Sequence, residues 1–315
     1  MGMLIEGRWD DEADRTMVDG RYMRAGSTFD GPIDAAVTDA IAAGAGRHVL
    51  VASNSCPWSH RTTLVRAVTG LADRLPLHIA GGPRVEGYGL LAEGPLNAGR
   101  EAPLRHMHQL YTLTDPAYTG RVTVPVLWDA NEERIVSNDS ATIMRALGSI
   151  ASDDGLVLVP AGLESEIDAL NETIHHGLAN AVYEAGKAQA QDAYDEAVGR
   201  VFATLSMLDK RLTDRRYLFG DALTETDLRL FATLVRFDAV YATHFRCTRH
   251  RLTDCANLWP YARTIHHLPG VAETVDFDAI LYGYYANDGV HNPFGIVAER
   301  PAVDWSAPAQ RPAGS

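Results

Sequence analysis

The stretch VASNSCPWSHR, residues 51–61, holds one cysteine, Cys56, followed by Pro57, Trp58 and Ser59. Two cysteines at that spacing would form a dithiol redox pair; here a hydroxyl stands where the second thiol would be. A lone thiol can still attack sulfur as its thiolate, forming a mixed disulfide. No neighbouring thiol can then resolve that disulfide. Cys247 and Cys255 lie far along the chain and serve only if folding brings them close. The economical source of the second sulfur is a small thiol from solution. His60, four residues after Cys56, falls on the same face of a helix. It either supports the thiolate or packs a turn, and its spacing allows it to face a substrate.

Two further stretches carry binding chemistry. In TVPV, residues 123–126, Val124 precedes Pro125, which favours extended backbone at Val124. With a cis proline there, the Val124 N–H and C=O would be open to pair with a peptide-like ligand as an added strand. In SNDS, residues 137–140, Asp139 and Ser140 open a helix. The free N–H groups and hydroxyl there can take a carboxylate, and Asp139 can take an amine. Together these stretches describe a site for a small thiol peptide, running from Cys56 past Val124 to Asp139 and Ser140.

The elements that position them follow from periodicity. RHVLVAS (47–53) and LPLHIAG (75–81) are buried-strand candidates, separated by a helical pattern from Pro57 to about Gly70. Cys56 therefore falls at a helix N-terminus with Pro57 at the first helical position, where the helix dipole lowers a thiol pKa. TVPVLWD (123–129) and RIVSN (134–138) read as a hairpin around ANEE, and 139–150 as the helix after it. With one more helix in the Gly- and Pro-rich stretch 82–122, the order is that of a thioredoxin-like α/β domain over 47–150. From about 160 to 285 apolar residues recur at helical spacing, which predicts an all-α second domain. Thr224 and Asp227 form a capping box at the start of one of its helices. Residues 1–46 read as an irregular, turn-rich extension and 286–315 as an extended tail.

The chain has 315 residues and a formal charge of −13. That balance argues against nucleic acid and anionic lipid as partners. No run of about 18 apolar residues suggests a membrane span, and the acidic N-terminus lacks the pattern of a secretory signal. Three cysteines do not make a disulfide scaffold, so a cytoplasmic, reducing setting is expected. His244, Cys247, His250 and Cys255 lack the paired spacing of a zinc site, and no metal is expected.

SCPWSHRT, LYTLTDPAYTGRVTVPVLWD, RIVSNDSATIMRAL, RFDAVYATHFRC and NPFGIV resemble the glutathionyl-hydroquinone reductases, the xi class of glutathione transferases, from about residue 20 to 300. The resemblance implies a homodimer joined through the helical domains. It also implies a monothiol reaction: Cys56 takes the glutathionyl sulfur from a quinol thioether, releases the hydroquinone, and is freed by a second thiol. By the same resemblance Arg121, Val124, Asp139 and Ser140 contact the thiol peptide, and Trp58 and Pro125, beside Cys56 and Val124, are counted in the same thiol-binding site. Tyr183 and either Tyr284 or Tyr285, from the helical domain, face the quinol, and Tyr183 and Tyr285 would act in catalysis as hydrogen-bond or proton donors. Two positions depart from the family pattern: Asp139 replaces a glutamate, and Tyr88 stands where a thiol-lining tryptophan is expected. Only two of the 28 basic residues are lysine, a sign of GC-rich coding, and some bacteria of that kind use mycothiol. The implied thiol is glutathione or a substitute such as mycothiol. Transfer of a small thiol to other electrophiles is the alternative activity.

Overall fold

His48–Ala52 is buried at every position, as a central strand of an α/β sheet requires. It is the fifth strand among the described residues and organises the first of two compact units. In the computed structural model, which describes residues 2–13, 16–23, 26–152 and 154–307, the strands are β1 (Met3–Ile5), β2 (Arg8–Asp10), β3 (Met17–Val18), β4 (Arg21–Tyr22), β5 (His48–Ala52), β6 (Leu77–Gly81), β7 (Gly89–Leu90), β8 (Val126–Asp129) and β9 (Arg134–Ser137). Among the described residues the main sheet has the order β7-β6-β5-β8-β9. β5 and β6 run parallel; β7, β8 and β9 are antiparallel to their neighbours. The helices of this unit are α1 (Ala35–Ala42), α2 (Pro57–Val68), α3 (His108–Thr114) and α4 (Ser140–Gly148). α2 is the crossover from β5 to β6, and α3 is the helix expected within 82–122. This is the thioredoxin-like arrangement.

The second unit contains α5 (Glu164–Ile174), α6 (Ala181–Lys187), α7 (Gln191–Arg211), α8 (Glu225–Leu234) and α9 (Leu258–His266). The capping box of α8 is present. Asp227 is fully buried; its carboxylate accepts from the Thr224 N–H at 2.8 Å, the Leu218 N–H at 2.9 Å and the Tyr261 hydroxyl at 2.8 Å. Such bonds are what make a buried carboxyl tolerable.

The compact units divide the chain differently from the sequence boundaries. The first comprises Met1–Arg15, Ala25–Leu156 and Thr274–Val297; the second comprises Thr16–Arg24, Val157–Glu273 and Ala298–Ser315. Residues 1–46 are not an irregular leader. β1 and β2 form a hairpin that bridges Leu4 to Gly120 in the first unit. β3 and β4 form a second hairpin in the helical unit, where Arg21 pairs with Asp192 and Glu196. Strands of two or three residues are too short to show a period, which is why the sequence hid them. Residues 274–297 carry α10 (Phe277–Leu281) and the π-turn Tyr282–Ala286 into the first unit. The tail is only partly extended. Asn292 closes a turn onto the Tyr285 and Ile296 carbonyls at 2.8 Å each, and Trp305 packs against Phe231, Trp259 and His266. Among the described residues no helix is long and apolar enough to cross a membrane.

Candidate active site

Cys56 is the N-cap of α2, with extended backbone (φ −85°, ψ 122°) and Pro57 beginning the helix. The residue is 8% exposed. Its Sγ lies 3.8 Å from the Val124 carbonyl oxygen, so two of the predicted stretches meet at the thiol. The Val124–Pro125 bond is cis. Among the described residues neither the N–H nor the C=O of Val124 has a backbone hydrogen-bond partner, leaving both for a ligand strand.

Tyr111 of α3 holds this loop. Its hydroxyl donates to the Thr123 carbonyl at 3.0 Å and accepts from the Thr123 N–H at 3.1 Å and from Asn138 Nδ2 at 3.0 Å. One buried phenol thus ties the Val124 loop to the turn before α4. There Asp139 caps the helix, accepting from the Thr142 N–H at 2.7 Å, and Ser27 Oγ donates to it at 3.3 Å. Burial pushes the Asp139 carboxyl up, but the Thr142 bond, the Arg61 charge and Ser27 outweigh it and hold the group below its ordinary value. Asp139 is an anion at neutral pH, as amine binding requires.

Arg61 was not foreseen. One turn along α2 from Cys56, it is buried and donates to Ser140 Oγ from Nε at 3.0 Å and from Nη2 at 2.6 Å. Its guanidinium lies 4.6 Å over the Trp58 ring. A buried cation on the hydroxyl at the start of α4 adds positive field where a carboxylate would bind. The only sequence signal was its i, i+5 offset from Cys56, which is not a motif. Trp58 is buried beneath Arg61 and supports it. Arg121 is half-exposed, and its guanidinium has no ion pair or hydrogen bond among the described residues.

Tyr88 lies near the thiol. Its phenol is close enough to Cys56 for each group to affect the other's ionisation, and Arg84 lies 3.7 Å over its ring. Burial pushes the phenol up to about 12, against the pull of the Arg84 charge. Tyr88 therefore keeps its proton at neutral pH, and its O–H is a donor beside the sulfur.

Other predicted residues fall elsewhere. His60 is buried, and its Nε2 lies 2.8 Å from Thr274 Oγ1; it pins the start of the 274–297 segment, which fits the packing alternative rather than a substrate-facing one. Tyr284 and Tyr285 belong to the thioredoxin-like unit, not the helical one. Tyr285 is buried and Tyr284 half-buried. The tyrosine of this turn that reaches open space is Tyr282, which the sequence reading missed. It lines a cavity of about 600 Å³ with Ser53, Asn54, Ser55, Arg84 and Gly283. That cavity flanks Cys56 through Ser55, and the thiol itself is not in its lining. Asn54 Nδ2 donates to Asp276 at 3.2 Å, and Asp276 caps α10, so the cavity wall is bonded to the strand-to-helix turn that ends in Cys56. Tyr183 is in the helical unit, packed against Tyr22, Tyr241 and Phe245.

The remaining cysteines are poor nucleophiles. Burial pushes the Cys247 thiol up to about 12; burial, with Asp209, Asp238 and Asp254, does the same for Cys255. Cys255 Sγ is 3.8 Å from His250 Nδ1, but the His244–Cys255 segment brings no three donors together.

A thioredoxin-like unit with a lone N-cap cysteine, joined in sequence to a helical unit, is the design of a glutathione transferase. Residues 55–150 match the family model for the glutathione S-transferase N-terminal domain, and residues 191–263 the model for the C-terminal domain. The glutathionyl-hydroquinone reductase YqjG of Escherichia coli K12 is 40% identical over 99% of this chain and 98% of its own length. Its glutathione-bound structure superposes with a TM-score of 0.78 at 42% identity, covering 84% of this chain and 87% of that one. The xi-class transferase of Natrialba magadii superposes with a TM-score of 0.86 at 36% identity, covering 98% and 96%. The chain belongs to the glutathionyl-hydroquinone reductases, the xi class of glutathione transferases.

Proposed function

We propose that this protein reductively removes glutathione from glutathionyl-hydroquinones. The Cys56 thiolate attacks the thioether sulfur. An S–S bond forms, the aryl C–S bond breaks, and its electron pair stays on the ring carbon, which takes a proton. Free hydroquinone leaves, and Cys56 carries glutathione as a mixed disulfide. A second glutathione attacks that disulfide, releasing glutathione disulfide and the Cys56 thiol.

The observation that carries this reading is the placement of Cys56. It is an N-cap thiol 3.8 Å from the Val124 carbonyl, with Ser59 and not a cysteine one turn on. The thiol peptide runs along Val124, with its amine at Asp139 and a carboxylate at the start of α4, where Arg61 and Ser140 sit. Tyr88 donates to the sulfur that carries charge. Glutathione as the thiol is supported by the glutathione bound to the E. coli relative. A phenol from the Tyr282–Ala286 turn supplies the ring-carbon proton. A homodimer and a cytoplasmic setting complete the reading.

Steady-state release of hydroquinone from a glutathionyl-hydroquinone in the presence of glutathione tests it. Turnover by the native chain and none by Cys56→Ser is the expected result. No release by the native chain, with another thiol transfer surviving in Cys56→Ser, would favour the alternative small-thiol transferase. Replacing glutathione by mycothiol in the same assay reads the thiol preference; a higher kcat/KM with mycothiol would overturn the glutathione assignment.

A further inference from the structure

Three side chains that the thiol site does not use converge at the start of α3. His106 and His108 flank Met107 with imidazole planes 8° apart and ring centroids 5.4 Å apart. Glu86, in the loop before β7, sets a carboxylate oxygen 2.9 Å from His108 Nε2. One donor atom from each of the three lies within 4.8 Å of the others, and this is the only such group of three among the described residues.

The surroundings hold this group in place. Leu90 N–H donates to the Arg105 carbonyl at 2.7 Å and Met107 N–H to the Tyr88 carbonyl at 2.9 Å, which locks the Glu86 segment to the histidine segment. Trp9 stacks on His108 at 5.5 Å and fixes its ring plane. His106 Nδ1 is shielded from solvent and has no hydrogen-bond partner among the described residues. A buried nitrogen left so costs free energy unless something pairs with it.

We propose that Glu86, His106 and His108 bind one divalent transition-metal ion of the zinc type. Two imidazole nitrogens and a carboxylate oxygen are a donor set that suits zinc, cobalt or nickel over magnesium or calcium. Ligand atoms about 2.1 Å from a tetrahedral ion lie about 3.4 Å from one another, so closing the site from separations within 4.8 Å takes side-chain movements of up to roughly 1.5 Å. The ion replaces the Glu86–His108 hydrogen bond and satisfies His106. It also clamps the segment carrying Arg84 and Tyr88, the pair beside Cys56, to α3. The site lies outside the His244–Cys255 segment, the only one whose residue types drew attention to metal in the sequence.

The test is a cobalt(II) titration of the chelator-stripped full chain carrying Cys56→Ser, which removes the reactive thiol, followed by visible absorption and metal analysis. One cobalt per chain with a tetrahedral ligand-field spectrum, displaced by zinc, is the expected result. His106→Asn should abolish it, and Glu86→Gln, at a half-exposed side chain, should weaken it at least tenfold. If His106→Asn fails to fold by circular dichroism, Glu86→Gln decides alone. No stoichiometric binding, or binding unchanged in the variants that fold, overturns the proposal.

Discussion

Gly283 packs against the residue that precedes Cys56, and a single methyl group tests that arrangement. A Cβ at position 283 would lie 2.3 Å from Ser55 Cβ, 2.6 Å from Ser55 Oγ and 3.7 Å from Ser55 Cα. Apolar carbons rest about 3.5 Å apart, so Gly283→Ala forces the Tyr282–Ala286 turn and Ser55 apart by roughly 1 Å. Ser55 is buried and directly bonded in sequence to Cys56, so the displacement reaches the thiol. Overpacking of this kind costs about 1–3 kcal/mol of stability, and a misplacement of about 1 Å at reacting groups costs up to roughly 100-fold in rate. We expect kcat/KM for a glutathionyl-hydroquinone to fall 10- to 100-fold, measured well below the unfolding temperature. Ser55→Gly in the same chain removes the opposing Cβ and should restore more than half of the lost free energy in a double-mutant cycle. Gly289→Ala is the control, because a Cβ there meets nothing within 4 Å. Unchanged activity in Gly283→Ala, or no recovery in the double variant, refutes the placement of this wall beside Cys56.

Other perturbations separate the remaining parts of the account. Arg61→Met removes two charge-assisted bonds to Ser140, each of a kind worth about 1.5–3 kcal/mol; the KM for glutathione should rise at least about tenfold, with kcat changed far less. Tyr88→Phe deletes the donor beside Cys56 and should slow thiolate-dependent steps about tenfold, read as alkylation rate by iodoacetamide. The double variant Cys247→Ala, Cys255→Ser should retain turnover within about twofold, because thiols held so far above neutral pH do not resolve disulfides; loss of turnover with the fold intact would implicate an internal thiol. Asp129 is buried and paired with Arg47 at 2.5 Å. Burial works against its ionisation, yet the Arg47 hydrogen bonds and the Asn131 and Glu132 N–H groups bring it down to about 2. A depressed carboxyl stabilises the fold above its unfolded value and loses that contribution as pH falls through its folded one. On the order of 2 kcal/mol should disappear between about pH 4 and pH 2, seen in urea midpoints, and Asp129→Asn should flatten that dependence.

The chemistry was more legible in the sequence than the architecture around it. β5, α2 and the cysteine at their junction stood out because a buried strand and an N-cap proline leave local marks. TVPV and SNDS did likewise, and the structure brings Val124 to Cys56 and Asp139 to Ser140 and Arg61. Residues 274–285 were assigned to the helical domain and 286–297 to an extended tail. The docking of this segment on Ser55, Asn54 and His60 depends on contacts more than 200 residues away in sequence, which no local period records. Arg61 was passed over for the same reason: its partner, Ser140, is 79 residues on. Glu86, His106 and His108 became a group only when the β6–β7 loop met α3. Tyr88, by contrast, was singled out as a departure from the family pattern, and the structure sets it beside the thiol.

The central claim is that Cys56 carries the glutathionyl group between two half-reactions. Mixing the protein with one equivalent of a glutathionyl-hydroquinone, without free thiol, isolates the first half. Intact-protein and peptide mass spectrometry should show one glutathionyl group on Cys56 for each hydroquinone released, and added glutathione should remove it. Hydroquinone released without that adduct, or an adduct on Cys247 or Cys255 in its place, would contradict the account.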